Sequence, residues 1–316
     1  MGTGPSAVPS FEFLLNSQHQ VLALITRPER TTHHREKPTN PMREIALRRG
    51  IVVFEPESIN SPQAHAWLCD RAADLFVVCD YGQILSQETL ALARMGGINL
   101  HASLLPKFRG AAPINWAIYH GEAETGVTVI HMTPQLDAGP TLVQFRTPIG
   151  PAETAPELES RLATLGVGAI HQSIELLAGG APTPGIVQDP RSVTKAPRLK
   201  KEDGLVDWSR SAVAIYNQVR ALQPWPKTYT FWKRPNSEPL RLILEIVQPL
   251  DDVAQVSIGP PTSTPGTIQQ ALSNQLIVAC GKGSLRIDRL QPAGKRIMTA
   301  SEFLRGHALL PGEKLG

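Results

Sequence analysis

IVVFEPESINSPQAHAWLCDRAADLFVVCD, residues 51–80, is the stretch that decides the fold. It opens on a β-branched apolar run, IVVF (51–54), passes through a helical pattern at 62–72 and closes on a second apolar run, LFVVCD (75–80). A strand, a helix and a strand in so short a span form a crossover unit, which returns the second strand parallel to the first. Such strands are covered on both faces, so they read as continuous apolar runs without polar alternation.

The same signature recurs on both sides. QVLALI (20–25), INLH (98–101) and GVTVIHM (126–132) read as further strands, and Ala7 to Leu15 and Met42 to Arg49 as helices. Residues 153–178 carry Leu158, Leu162, Leu165, Ile170, Ile174 and Leu177 at helical spacing and read as one closing helix. The expectation is a doubly wound, mostly parallel, Rossmann-like α/β domain over residues 1–180. GGAPTPGIVQDP and TKAPRLKKEDG then give an extended linker over 181–204. From 205 to 316, LRLILEIVQPL, GTIQQAL and NQLIVACGKGSLRIDRLQPAG suggest a small all-β, OB-like barrel.

The front end breaks the pattern. MGTGPSAVPSFEFLL is a glycine turn feeding a helix, with Pro5 and Pro9 near the helix start, and no strand precedes the turn. A doubly wound sheet begins with a strand, so the first strand is expected to be missing, either because the start falls too late or because the chain is truncated. A GxG without its strand reads as a simple turn, not a phosphate loop.

At 316 residues two domains are the default. No apolar run approaches the roughly 20 residues of a membrane span, and no basic-then-apolar leader opens the chain, which therefore reads as cytoplasmic. Cys69, Cys79 and Cys280 are odd in number and in no CxxC spacing, which argues against a disulfide framework or a zinc site; they read as small buried hydrophobes.

The net charge of +3 hides a division along the chain. Residues 205–316 hold 13 Lys and Arg against 8 Asp and Glu, residues 191–204 hold 5 against 2, and residues 27–49 hold 7 against 3. The remainder holds 6 against 15. Three basic pieces on an acidic body point to a polyanionic partner.

Chemistry concentrates in GGINLHASLLPKFRGAAP (96–113). Open α/β sheets bind ligands at the carboxyl ends of their strands. Asn99 and His101 are two apart, so both leave the strand on one face. The amide offers donors to a forming oxyanion, and the imidazole changes protonation near neutral pH. Asp137, in HMTPQLDAGP, follows another strand end on a loop of small residues, where a carboxylate can orient the imidazole. Amide, imidazole and carboxylate together suit acyl transfer to an amine, with no Ser or Cys nucleophile. Arg109, between Pro106 and Gly110, reads as a loop pin, and His131, inside a strand, as packing. RALQPWPKTYTFW (220–232) reads mainly as core at the entry of the β domain.

INLHASLLPKFRGAAPINWAIYHGEAETGVTVIHMTPQLDAGP, with VVCDYGQILS before it and LQPAGKRIM near the end, resembles the folate-dependent formyltransferases. The likeness extends over most of the chain to the branch whose acceptor is methionyl initiator tRNA. It implies that Asn99, His101 and Asp137 are the catalytic triad. It further implies that Ser103, Leu104, Leu105 and Pro106 line the tetrahydrofolate site, with Gln83, Ile84 and Leu85 as the pterin-side loop. The implied formyl donor is 10-formyltetrahydrofolate, with no metal. The loop TRPERTTHHREKPTNPMREIA resembles an insertion that reaches the tRNA acceptor stem, with Arg35 and Lys37 as contacts. It lacks glycine and carries His33 and His34, which have no third ligand at metal-binding spacing. The competing readings are a formyltransferase acting on an amino sugar or on glycinamide ribonucleotide, a formyl-folate hydrolase, and a catalytically silent tRNA- or folate-binding protein. Nothing in the sequence demands more than a monomer.

Overall fold

The computed structural model describes residues 1–28, 40–180, 183–234, 238–250, 264–272 and 275–316. They fall into two compact units: Met1–Ile114, Ala123–Ile149 and Glu157–Pro197 in one, Asn115–Glu122, Gly150–Pro156 and Arg198–Gly316 in the other.

To residue 197 the chain gives, in order, α1 (Val8–Leu15), β1 (Leu24–Ile25), α2 (Pro41–Arg48), β2 (Val53–Phe54), α3 (Pro62–Cys69), β3 (Phe76–Val78), α4 (Gln87–Leu90) and β4 (Gly97–His101). β5 (Arg109–Gly110), α5 (Pro113–Tyr119), β6 (Glu124–His131), β7 (Thr141–Pro148), α6 (Ala155–Ala178) and β8 (Lys195–Ala196) follow. The helix starts are written locally. Asn40, Ser61 and Ser86 each accept an amide of the first turn of α2, α3 and α4 through the side chain, and Pro41 and Pro62 stand just inside two of those starts. Ile25, Ile59, Leu68, Phe76, Val78, Leu85 and Leu90 form a core beneath the strands.

β1 pairs with β2 and β3 with β4, both parallel. β4 pairs with β6 and β6 with β7, both antiparallel. The sheet is therefore mixed: the parallel reading holds up to β4, and GVTVIHM runs against it. Residues 1–3 fill the gap between the two parallel pairs. The Gly2 amide donates to Ile25 on one side, and the Met1 amino group and the Cys79 amide complete bonds with Val77 and Met1 on the other. Residues 1–3 thus link the two parallel pairs by backbone bonds to both neighbours. A Cβ on Gly4 would run into the Asp80 carboxylate. Burial and then Glu159 raise the pKa of Asp80, while a backbone bond from Gly4 opposes them.

The second unit carries α7 (Ala212–Ala221), β9 (Thr228–Trp232), β10 (Leu240–Leu250), β11 (Ile268–Leu272), β12 (Gln275–Ala279), β13 (Ser284–Pro292), β14 (Met298–Thr299) and α8 (Ala300–Gly306). Its antiparallel order is β11-β12-β13-β10-β9, with β14 on β13. Among the described residues no named strand closes this sheet into a barrel. Instead the last residues link its edges: Ile268 donates to Glu313, Leu315 to Gly266 and Gly316 to Phe231. Leu242, Leu276, Leu285, Ile287 and Phe303 fill the interior. Trp232 joins that core as expected, whereas Trp225 is half exposed. Cys79 and Cys280 are buried; Cys69, expected inside, is exposed, because it closes the short helix α3 on its solvent side.

Candidate active site

Asn99 and His101 stand two apart on β4, so both side chains leave one face near the strand's carboxyl end. The imidazole is almost fully buried, and its Nε2 lies 2.9 Å from the Phe108 carbonyl. A carbonyl only accepts, so Nε2 carries hydrogen and Nδ1 is the nitrogen left to face the site. Nδ1 faces Asp137 Oδ1 at 3.6 Å, and that carboxylate's side chain is only 8% exposed.

Asp137 reaches this point by an indirect route. Because β6 is antiparallel to β4, its end at His131 lies beside Ile98, and His101 pairs with Thr128. The loop after β6 must therefore double back by three strand residues, roughly 10 Å, to bring Asp137 to His101. Two features accommodate the return. Asp137 takes a left-handed backbone, φ 51°, a strained region for a residue with a side chain. Gly139 passes so close to β6 that a Cβ would run into the His131 carbonyl oxygen. The carboxylate is then held from the other side, where the Gly110 amide donates to Oδ2 at 2.9 Å. Gly110 (φ 128°) admits no side chain, since a Cβ there would strike the Ala196 carbonyl across the β5–β8 pair.

Residues 2–174 match the formyl transferase family, and residues 198–308 match its C-terminal domain. The chain belongs to the formyl transferase family.

Full-length relatives of this formyl transferase include proteins named methionyl-tRNA formyltransferase. One from Rhodopirellula baltica is 44% identical over 328 residues, covering 100% of this chain and 95% of the relative. One from Trichlorobacter lovleyi is 40% identical over 316 residues, with 100% and 95% covered. Among solved structures, the fold resembles an N-formyltransferase from Helicobacter canadensis crystallised with folinic acid and dTDP-3-aminofucose. The TM-score is 0.63 at 16% identity, covering 90% of this chain and 96% of that one. The sugar 3N-formyl transferase WlaRD gives 0.62 at 18% identity, with 93% and 97% covered.

The remaining residues singled out from the formyl transferase sequence divide by burial. The Ser103 hydroxyl is fully buried and donates to the Lys107 carbonyl at 2.6 Å, so it shapes the turn from within. Leu105 is buried, while Leu104 and Pro106 are half-buried. After β3, Ile84 stands 55% exposed while Leu85 belongs to the core. The Gln83 amide is engaged with Ile59 and Pro56. Arg109 acts as a pin, donating to Gln188 Oε1 at 3.1 and 2.7 Å, and His131 bonds to the Thr183 carbonyl. Arg35 and Lys37 lie outside the described residues. Among the described residues no group of three or more His, Cys, Asp or Glu is arranged to hold a metal.

Several supports escaped the sequence reading. The Thr128 hydroxyl donates to the Ser103 carbonyl at 2.6 Å and accepts from the Leu105 amide at 3.1 Å. Gln144 donates to the Leu105 carbonyl and to Thr128, and Asn60 bonds the Ile84 carbonyl and the Ser86 amide. Thr128 left a signal, a hydroxyl at the centre of an apolar strand. Asn60 and Gln144 left none, because nothing local shows which distant backbone they meet.

Proposed function

We propose that this formyl transferase moves the formyl group of 10-formyltetrahydrofolate to the α-amine of methionine esterified to initiator tRNA. The observation that carries the choice of acceptor is the likeness over the whole chain, both units included, to proteins named methionyl-tRNA formyltransferase. The basic pieces at 27–49, 191–204 and 205–316 suit an RNA acceptor, which a small amine would not require.

An α-amine has a pKa of about 8, so a useful fraction is neutral at physiological pH. Its nitrogen attacks the formyl carbon; the carbonyl electron pair moves to oxygen as the new C–N bond forms. Asn99 and His101 stabilise that oxyanion. Asp137 orients His101 through Nδ1 and takes up the amine proton. Collapse restores the carbonyl and breaks the bond to folate N10, which receives the proton.

The residues after β3 and β4 fit a folate. Ile84 and half-buried Leu104 supply apolar contact, and the Tyr81 hydroxyl is buried without a hydrogen-bond partner. We assign the pterin side to Gln83, Ile84 and Leu85 and the remaining wall to Ser103, Leu104, Leu105 and Pro106, several of them through backbone groups. Arg35 and Lys37 are assigned to the acceptor stem and the second unit to the rest of the tRNA. No described helix is long and apolar enough to cross a membrane, and we place the reaction in the cytoplasm.

The test is transfer of labelled formyl from 10-formyltetrahydrofolate to charged initiator tRNA, to an amino sugar nucleotide, to glycinamide ribonucleotide and to water. Product on the tRNA alone is expected. Faster transfer to a small amine, or release as formate, overturns the assignment.

A further inference from the structure

Gln188 lies in the segment after α6, 51 residues beyond Asp137, and is 8% exposed. Its Nε2 donates to the Asp137 carbonyl at 2.9 Å and to the Gly139 carbonyl at 2.8 Å. Its Oε1 accepts Nε and Nη2 of Arg109 at 3.1 and 2.7 Å. An amide has two N–H donors and one oxygen with two lone pairs, so all four valences are used. Carbonyls only accept and a guanidinium only donates, so these partners permit one orientation of the amide.

This side chain meets Asp137 from two directions. It grips the backbone of the returning loop on either side of Ala138. Through Arg109 it also grips β5, whose next residue, Gly110, donates its amide to the Asp137 carboxylate. The loop is in unusual need of such a grip, since it runs back against the direction of β6 and carries a left-handed Asp137. We infer that Gln188 is a positioning residue for catalysis, fixing Asp137 against His101 without itself touching substrate. The inference rests on the reading of Asp137 as a working member of the site.

Its removal lowers the rate of the chemical step and leaves substrate binding in place. Gln188→Leu has similar bulk and neither donors nor acceptor; loss of a supporting partner of this kind typically costs about 10- to 100-fold in activity. Single-turnover formyl transfer to charged initiator tRNA should fall by that factor, with KM for both substrates within about threefold of wild type, a split diagnostic of lost transition-state interaction. On an Asp137→Ala background the same substitution should add almost nothing, because the two act through one group. Gln188→Glu keeps an acceptor for Arg109 but sets carboxylate oxygens against two carbonyls, and it should show the same fall in rate; it also decides the case if the leucine variant does not fold.

A wild-type rate in a folded Gln188 variant, a loss confined to KM, or losses that multiply in the double variant overturn the inference. Wild-type turnover by Asp137→Ala overturns instead the reading of Asp137, whatever Gln188 does.

Discussion

Asp137 divides its two carboxylate oxygens between partners of different kind: Oδ1 faces His101 Nδ1 at 3.6 Å, and Oδ2 accepts the Gly110 amide at 2.9 Å. One oxygen is spent on holding the group in place and the other is directed at the imidazole. That division ties the chemistry to backbone geometry on the stretch from His101 to Gly110 and on the loop of Asp137, 27 residues beyond Gly110.

Substitution of Asn99, His101 or Asp137 by Ala is expected to lower turnover by about 100- to 1,000-fold each, the usual cost of removing a preorganised group at a developing oxyanion. Thermal unfolding should move little for Asn99→Ala. Steady-state formylation checks the set, and near wild-type rates for Asn99→Ala and His101→Ala would contradict the assigned roles.

Gly139→Ala should damage the site without touching any polar side chain. A Cβ there meets the His131 carbonyl oxygen, beside the backbone bond from His131 to Pro140. Relief requires the loop to shift, at a cost of about 1–3 kcal/mol. A lower melting temperature together with slower transfer is the expected pair of results.

The cysteines should separate by reactivity. Burial pushes the thiols of Cys79 and Cys280 up to about 12, whereas Cys69 is exposed. A thiolate is the reacting species. Titration with a chromogenic disulfide near pH 8 should count one thiol in the folded protein and three after denaturation.

Acid should weaken the start of α8. Glu302 accepts the Thr299 amide and pairs with Arg296, and backbone and side-chain hydrogen bonds hold its carboxyl down at about 2, from an ordinary 4.5. A depressed carboxyl contributes stability that is present above the ordinary value and lost as pH falls through the folded one. Glu302→Gln should therefore flatten the decline in stability between those two pH values, as followed by circular dichroism of the acid transition.

Salt should discriminate between the substrates. Phosphate contacts release counterions, so raising salt from about 50 to 200 mM should increase KM for the tRNA by roughly tenfold or more. KM for the folate should change far less, and equal sensitivity of the two would argue against an RNA footprint on the basic pieces.

Much of the fold was legible because its causes are local. Continuous β-branched runs marked strands, and the apolar spacing of Met42 to Arg49 and of 62–72 marked helices, since both signals need only neighbouring residues. The direction of β6 was not legible, since an apolar run looks alike whether its neighbour is parallel or antiparallel. That direction is what forces the loop of Asp137 to turn back, and with it the need for Gly139 and Gln188. Cys69 shows the complementary failure: composition suggested burial, and its place at the end of a short helix put it in solvent.

The amino-acid sequence by itself determined the residue types of the site and their spacing on one strand, because alternation along a strand assigns Asn99 and His101 to one face wherever that strand lies. Only the tertiary structure decided that Asp137 meets His101, that Gly110 and Gln188 hold it there, and that residues 1–3 bridge the two parallel pairs. Those relations join segments separated by tens of residues, and apart from the contact of Asp137 with His101 they run through backbone carbonyls or amides, groups that do not mark a residue in the sequence.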